Sequence, residues 1–293
     1  GASVFLKNNG DETFTDIAAT TNTEFNSNGW GAIFLDGDND ADIDLYVSGA
    51  LVGYPGYASA AFYEYLGTGT FQIPTNAGFE NDEGYSHSNA IGDINNDGLP
   101  DIYFAGNSVS DKLFLNKGSF KFEDISIPSG ISTLNGWSTG VNMIDINQDG
   151  WLDIYVCRSG PSPNEVNRTN RLYINQGNNT FVEDAANYGL ASKNYSIQSA
   201  FFDYDLDGDL DLYLLNHPKP GFEPKKSIQH MEEIRTGVIR TDYFYENING
   251  KFVDKTFDAN LFNFGFRHGI AVGDVNKDGY PDLYISSDFE EPD

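Results

Sequence analysis

An all-β chain of repeated four-stranded units, the arrangement of a β-propeller, is predicted by three features of this sequence. An acidic loop motif recurs five times, a strand-like alternation follows each loop, and a hairpin motif recurs between the loops. Loop 1 places Asp36, Asp38, Asp40, Asp42 and Asp44 at alternate positions, and loop 2 places Asp93, Asn95, Asp97, Leu99 and Asp101. Loop 3 has Asp145, Asn147, Asp149, Trp151 and Asp153, and loop 4 has Asp203, Asp205, Asp207, Asp209 and Asp211. Loop 5 has Asp274, Asn276, Asp278, Tyr280 and Asp282. Positions 1, 3, 5 and 9 carry an oxygen side chain in every loop, and position 6 is Gly except for Ala41 in loop 1.

That pattern suits a hard cation. Calcium takes about six to eight oxygens from carboxylates, amides and backbone carbonyls, and alternate residues of a tight loop converge on one point. A Gly at position 6 lets the backbone turn sharply beneath the ion. Position 7 has no common chemistry, so Asp42, Leu99, Trp151, Asp209 and Tyr280 are expected to offer backbone carbonyls. An EF-hand is excluded, because it needs a Glu at position 12 and flanking helices. Position 12 is instead Val47, Phe104, Val156, Leu214 and Ile285. The residues leaving each loop alternate as in a strand, so position 9 closes the site and the loop joins two strands.

The loops begin at residues 36, 93, 145, 203 and 274, a period expected of a propeller rather than of a helical solenoid. Between them lie Leu113–Gly118 followed by Phe122, and Leu172–Gly177 followed by Phe181, with weaker copies at 62–71 and 244–254. Each reads as a hairpin around an Asn/Gly turn. One unit is therefore strand A, acidic loop, strand B, connection, strand C, turn, strand D. The division of 1–293 is a C–D hairpin at 1–20, units at 29–82, 84–134, 136–190 and 195–260, and A and B strands at 265–293. The Tyr two residues after each position-9 Asp (Tyr46, Tyr103, Tyr155, Tyr213, Tyr284) reads as packing within the unit.

The combination of Asp-x-Asn-x-Asp-Gly-x-x-Asp-(Leu/Ile)-Tyr with Leu-Tyr-x-Asn-x-Gly resembles the FG-GAP/VCBS repeats of integrin α-subunit heads and secreted bacterial propellers. Segments such as Tyr155–Pro161, Leu212–Pro218 and Ser286–Asp293 resemble bacterial proteins of the cartilage-acidic-protein-like group. The resemblance implies about five bound calcium ions here and seven blades in a complete protein. Closure as five blades through the terminal half-units stays open beside a fragment of a longer ring. It identifies a scaffold better than an activity, because function lives in sites grafted on folds.

Charge narrows the function further. Asp and Glu number 44 against 17 Lys and Arg, a net charge of −27 that excludes a nucleic-acid partner. Five divalent ions would bring this to about −17, so calcium is expected to stabilise the fold. Cys157 is the sole cysteine, which rules out an internal disulfide. No apolar run is long enough to span a bilayer. These points favour an extracellular or cell-surface setting, and Asn167, Asn178 and Asn194 head glycosylation sequons.

Topology puts the acidic loops and Asn/Gly turns at one end of each unit, and the B–C and D–A connections at the other. Three B–C connections are enlarged, at 49–59, 158–170 and 216–241, the last with an expected short amphipathic helix across 225–238. Long loops on a rigid scaffold carry function, and these are rich in basic residues, including Arg158, Arg168, Lys219 and Lys225. Six residues before the loops stand Trp30, His87, Thr139, Ile197 and His268, with Trp137 and Arg267 nearby. Trp30, His87, Trp137, Arg267 and His268 are the candidate ligand-binding residues of an axial mouth. No nucleophile elbow, zincin helix or phosphate loop is present, so no catalytic residue is assigned. The expected function is a secreted calcium-binding adhesion or binding module for a protein or glycan. A carbohydrate-active lyase or hydrolase at the mouth (His87, His268, Tyr85, Arg267) and a structural spacer are the rival readings.

Overall fold

The computed structural model describes residues 3–25, 29–49, 60–75, 77–78, 86–107, 109–131, 136–160, 164–219, 232–233, 241–261 and 264–288. Of the expected helix across 225–238 only 232–233 are described, and they are helical; most of the connections at 49–59 and 216–241 fall outside the described residues. The chain divides into two compact units, Gly1–Asn135 and Gly136–Asp293. Apart from two single helical turns, α1 (Ala18–Thr21) and α2 (Ala185–Tyr188), a 3₁₀ turn at Glu165–Arg168 and the helical residues 232–233, regular structure among the described residues is all β.

In the first unit, β1 (Leu6–Asn8) and β2 (Phe14–Asp16) form a hairpin. Strands β3 (Gly29–Leu35), β4 (Asp44–Gly49), β5 (Ala60–Tyr65) and β6 (Phe71–Gln72) follow as one four-stranded sheet. A second is made by β7 (Ser86–Gly92), β8 (Asp101–Gly106), β9 (Lys112–Asn116) and β10 (Phe122–Asp124). The second unit holds β11 (Ser138–Ile144), β12 (Asp153–Arg158), β13 (Arg171–Asn175) and β14 (Phe181–Glu183) in one sheet. The next sheet is β15 (Tyr195–Phe202), β16 (Asp211–His217), β17 (Tyr243–Asn247) and β18 (Phe252–Asp254), and the hairpin β19 (Phe266–Gly273) with β20 (Asp282–Asp288) completes it. Every pairing is antiparallel between consecutive strands, so each sheet is the A-B-C-D meander that the sequence predicts.

Sheets stack through apolar faces within each unit. Leu35, Tyr46 and Phe62 of the first sheet pack with Ile102, Phe104, Phe114 and Phe122 of the second. Tyr155, Cys157 and Leu172 pack with Leu212, Leu214 and Phe252. On the other face of β16, Tyr213 and Leu215 meet Ile270, Leu283 and Ile285 of the last hairpin. Strands β8 and β12 are buried along their whole length, as expected where both faces of a sheet are covered. Each buried aliphatic or Phe side chain contributes roughly 1.5–3 kcal/mol by leaving water. Cys157 belongs to this core; burial pushes its thiol to about 12, so it is inert packing.

The recurring Tyr does more than pack, which corrects the expectation from sequence. The Tyr103 hydroxyl donates to Asp111 Oδ2 at 2.9 Å, and Asp111 Oδ1 accepts from Gly106 N at 2.8 Å. In the next sheet Asn170 Oδ1 accepts from Arg158 N at 2.8 Å, and its Nδ2 donates to the Tyr155 hydroxyl at 2.9 Å. Asp242 Oδ1 accepts from Asn216 N at 3.0 Å, with the Tyr213 hydroxyl 3.5 Å from Oδ2. An Asp or Asn one residue before strand C therefore ties the end of strand B to the Tyr in its middle. Tyr284 has no following strand C among the described residues and is 74% exposed.

The acidic turns share an unusual backbone. Positions 4 and 6 are both left-handed in all five, at Asn39 and Ala41, Asn96 and Gly98, Gln148 and Gly150, Leu206 and Gly208, and Lys277 and Gly279. Ala41, at φ 73, pays a steric cost that Gly avoids in the other four.

Tyr103→Phe is expected to lower stability by about 1–2 kcal/mol in urea denaturation, because a buried carboxylate loses a donor. Tyr284→Phe, with an exposed ring, is expected to leave the midpoint unchanged. Ala41→Gly is expected to raise stability by about 0.5–1 kcal/mol through relief of the left-handed strain.

Candidate metal centres

Each acidic loop is organised by its own carboxylates accepting backbone N–H groups. The position-1 Asp caps the turn: Asp93 Oδ1 accepts from Asp97 N at 3.1 Å and Oδ2 from Gly98 N at 2.7 Å. Asp145, Asp203 and Asp274 repeat this on positions 5 and 6 of their loops, and Asp36 does so with a further bond from Asn39 N. The position-5 Asp accepts from position 7 in every loop, as Asp97 Oδ1 does from Leu99 N at 2.9 Å. These bonds fix the carboxylates of positions 1 and 5 against the backbone of the turn.

The position-9 Asp has a second task. One oxygen accepts from the N–H of position 2, as Asp101 Oδ2 does from Ile94 at 3.0 Å. The other accepts from the last residue of strand C: Asp44 from Tyr65, Asp101 from Asn116, Asp153 from Asn175 and Asp211 from Asn247, at 2.7–2.8 Å. Asp282 keeps the first of these bonds, from Val275 N at 3.0 Å. The strand-C Asn is held in turn, since Asn175 Nδ2 donates to Leu152 O at 3.0 Å and its Oδ1 accepts from Gly177 N. Burial pushes Asp101 and Asp153 up to about 7, and Asp44 and Asp211 to about 6, against the pull of these N–H groups. Without a cation, these carboxylates are held in an environment that disfavours their charge.

The donor set fits a hard divalent cation best in loops 1 and 4. Carboxylate oxygens of Asp36, Asp38 and Asp40 lie within 4.8 Å of one another, as do those of Asp203, Asp205 and Asp211. Asp38 Oδ1, Asp42 Oδ1 and Asp209 Oδ1 are shut off from solvent without a hydrogen-bond donor. Burial, followed by neighbouring Asp residues, raises Asp38, Asp42 and Asp209. The side chains of Asp42 and Asp209 are thus turned inward, so position 7 offers more than the backbone carbonyl expected from sequence. In loops 2, 3 and 5 the position-3 Asn bonds position 5 instead: Asn95, Asn147 and Asn276 donate through Nδ2 to Asp97, Asp149 and Asp278 at 2.9–3.0 Å. Asp278 is lowered, first by the Tyr280 N–H and then by the Asn276 amide.

The residues of the expected axial mouth share a backbone feature. The register of strand A shifts between Gly29 and Gly31, Ser86 and Ser88, Ser138 and Val141, Ser196 and Gln198, and Arg267 and Gly269. Trp30, His87, Thr139, Ile197 and His268 therefore sit at β-bulges, which re-aim a side chain. Thr139 uses this to donate to Ser196 O at 2.8 Å, joining β11 to β15. The side chains of Trp30 and His87 lie outside the described residues. Trp137 accepts from Ser159 N through its carbonyl at 2.8 Å and packs over Gly160. His268 is exposed, with its ring 5.6 Å from that of His217. Arg267 is buried, its Nε 3.4 Å from Asp242 Oδ2 and its guanidinium donating to Phe264 O. Burial pushes Asp242 up to about 6 in spite of Arg267.

At this same end, a groove of about 420 Å³ is lined by Arg168, Lys193, Tyr195, His217, Lys219 and Phe264, among others. The buried Arg168 guanidinium lies 4.5 Å over the Tyr195 ring, and its Nε donates to Lys193 O. Sequence named Arg168 and Lys219 in separate loops and missed Lys193 and Phe264; the meeting of these residues depends on β15 and β16 pairing, which spacing does not reveal.

Comparison with known proteins places this geometry. The profile described as an FG-GAP-like repeat matches residues 50–104, 93–156 and 162–214, more than half of the chain, and the FG-GAP repeat profile matches 266–292. Cartilage acidic protein 1 of Xenopus tropicalis is 28% identical over 204 residues, which cover 67% of this chain and 28% of that protein. The chain therefore spans little more than a quarter of that relative's length. Among solved structures, a chain of the Photorhabdus luminescens Tc holotoxin pore is similar over 86% of this chain and 10% of its own, at 14% identity and a TM-score of 0.37. With consecutive A-B-C-D sheets, an acidic A–B turn in each, and repeat profiles over most of their length, this chain belongs to the FG-GAP-like repeat family.

Proposed function

We propose that this chain is a calcium-stabilised extracellular binding or adhesion module, with its partner surface at the end of the sheets away from the acidic turns. The observation that carries the calcium reading is the set of inward, solvent-shut carboxylate oxygens without donors at Asp38, Asp42 and Asp209. A bound calcium ion would supply positive charge that these oxygens lack and would cross-link strands A and B of each sheet. Positions 1, 3, 5 and 9 of each loop are the ligands, from Asp36 in loop 1 to Asp282 in loop 5. About half a dozen oxygens per ion then come from the loop, its carbonyls and water. Membership of the FG-GAP-like family supports the extracellular setting, where millimolar calcium fills even weak sites. No described helix is long and apolar enough to cross a membrane.

The groove at Arg168, Tyr195 and Lys219 supports the placement of the partner. It gathers Arg168, Lys193 and Lys219 with aromatic groups on a chain of net charge −27, against one carboxylate, Glu165, 3.6 Å from Lys193 Nζ, a combination that suits an acidic glycan or an acidic protein segment. The engagement of Arg267 by Asp242 supports binding over catalysis, because it takes one of the few candidate groups of a glycan-cleaving site.

Calcium is expected to raise the melting temperature of the 1–293 chain strongly above its value in chelator; scanning calorimetry measures this, and an unchanged transition would sink the calcium reading. The pH dependence is expected to change sign with the ion. Folded Asp44, Asp101, Asp153 and Asp211 stand at about 6–7, above the roughly 3.9 of an unfolded Asp. In chelator the folded state therefore binds more protons, and stability rises as pH falls from 7 toward 5. With calcium bound, protons compete with the ion for the same oxygens, and stability falls over that range. Urea midpoints at both pH values, with and without the ion, check this. Lys193→Glu combined with Lys219→Glu is expected to abolish retention on immobilised chondroitin sulfate without moving the melting temperature.

A further inference from the structure

The five acidic turns are not equivalent, and their differences come as a set. In loops 1 and 4, positions 3 and 7 are both Asp (Asp38 and Asp42; Asp205 and Asp209). In loops 2, 3 and 5 they are Asn and an apolar or aromatic residue (Asn95 and Leu99; Asn147 and Trp151; Asn276 and Tyr280). A third position changes with them, on strand C beside the turn. The residue before the one that the position-9 Asp clamps is Glu64 beside loop 1 and Glu246 beside loop 4, but Leu115 and Ile174 beside loops 2 and 3. Both glutamates are anchored: Glu64 accepts from Gln72 Nε2 at 2.6 Å, while Glu246 accepts from the Tyr204 hydroxyl and lies 3.6 Å from Lys255 Nζ.

The two kinds also differ in what their oxygens are doing. The orphaned, solvent-shut loop oxygens (Asp38 Oδ1, Asp42 Oδ1, Asp209 Oδ1) all lie in loops 1 and 4 among the described residues. So do the carboxylate triplets gathered within 4.8 Å. In loops 2, 3 and 5 the Asn amide satisfies position 5 internally, through Nδ2 to the carboxylate and through Oδ1 from the backbone N–H. A cation entering these loops must replace hydrogen bonds that already exist; in loops 1 and 4 it meets oxygens that have none. Affinity for calcium follows the number of charged ligands and the rigidity of the site, and outer-shell partners that fix a carboxylate add to both.

We propose that loops 1 and 4 are high-affinity cation sites, one in each compact unit, that bind calcium at least about tenfold more tightly than loops 2, 3 and 5. Loop 1 lies in Gly1–Asn135 and loop 4 in Gly136–Asp293, so each unit keeps one ion as a permanent part of its fold. The Asn-containing turns fill only as free calcium rises, and they confer a graded response on an otherwise ion-stabilised scaffold. This rests on the calcium reading above and divides it into two classes.

The test is calorimetric titration of the chelator-stripped 1–293 chain with calcium chloride, with bound ions counted by native mass spectrometry. Two ions are expected in a first step, separated at least tenfold in Kd from three that follow. Asp42→Asn with Asp209→Asn is expected to merge the first step into the second while the ion count at saturation stays the same. Asn95→Asp with Leu99→Asp is expected to move one ion from the second step to the first. Because the isotherm of the unaltered chain already shows one step or two, the result does not depend on any variant folding. Five ions in a single class would overturn the division and leave the calcium reading standing. Absence of any binding would overturn both.

Discussion

The constraint on which the rest depends is the carboxylate at position 9 of each acidic turn. Asp101 is the clearest case: one oxygen fixes the turn through Ile94 N, and the other fixes strand C through Asn116 N. The side chain sits at the first residue of strand B, buried, and holds three strands in one register. A buried ionised carboxylate is tolerable only when its lone pairs are met, and here two strong N–H donors meet part of that need. A cation at the turn, as proposed, would meet the remainder. The same residue is thus the end of a hairpin, the keystone of a sheet and a wall of the candidate metal centre, so local geometry and any ion affinity would not be tuned separately.

The other end of three of the sheets repeats this logic with different chemistry. Asp111, Asn170 and Asp242 each take the N–H that ends strand B, together with a Tyr hydroxyl. Pinned at both ends, the B–C pair can carry a connection of any length without loss of register. That accounts for the contrast between the acidic turns, which scarcely vary, and the B–C connections, which separate the clamped partners by 8, 15 and 29 residues. Loop closure costs little as length grows, so once the register is fixed, variation there is nearly free.

Much of this was legible in the sequence because the acidic turn is a local device. Asp36 to Asp44 and its four counterparts need only their own spacing to be recognised, and the strand order follows from their recurrence. What escaped the sequence is non-local. The clamp from Asp211 to Asn247 spans 36 residues, so position 9 reads as a ligand and nothing more. Tyr103, Tyr155 and Tyr213 look like packing because the partner of each hydroxyl stands beyond a connection of variable length. The bulges at Trp30, His87 and His268 exist only as a mismatch between two strands, and no single strand announces them. The like charge that Glu64 places near Asp42 and Glu246 near Asp209 likewise comes from a different strand.

The two ends therefore divide the labour of the molecule by electrostatics. At the acidic end, burial and neighbouring carboxylates raise Asp38, Asp42 and Asp209, a cost that a bound cation would relieve. At the opposite end, Asp242 neutralises Arg267 and Arg168 stacks on Tyr195, so charge there is balanced without an ion. A surface whose stability does not depend on its own ligand is free to change partner. Variation can then collect at the connections of 158–170 and 216–241, while the turns that hold the sheets together stay under a constraint that no partner imposes. In the function proposed above, calcium is the requirement of the scaffold, and recognition belongs to the end that does not need it.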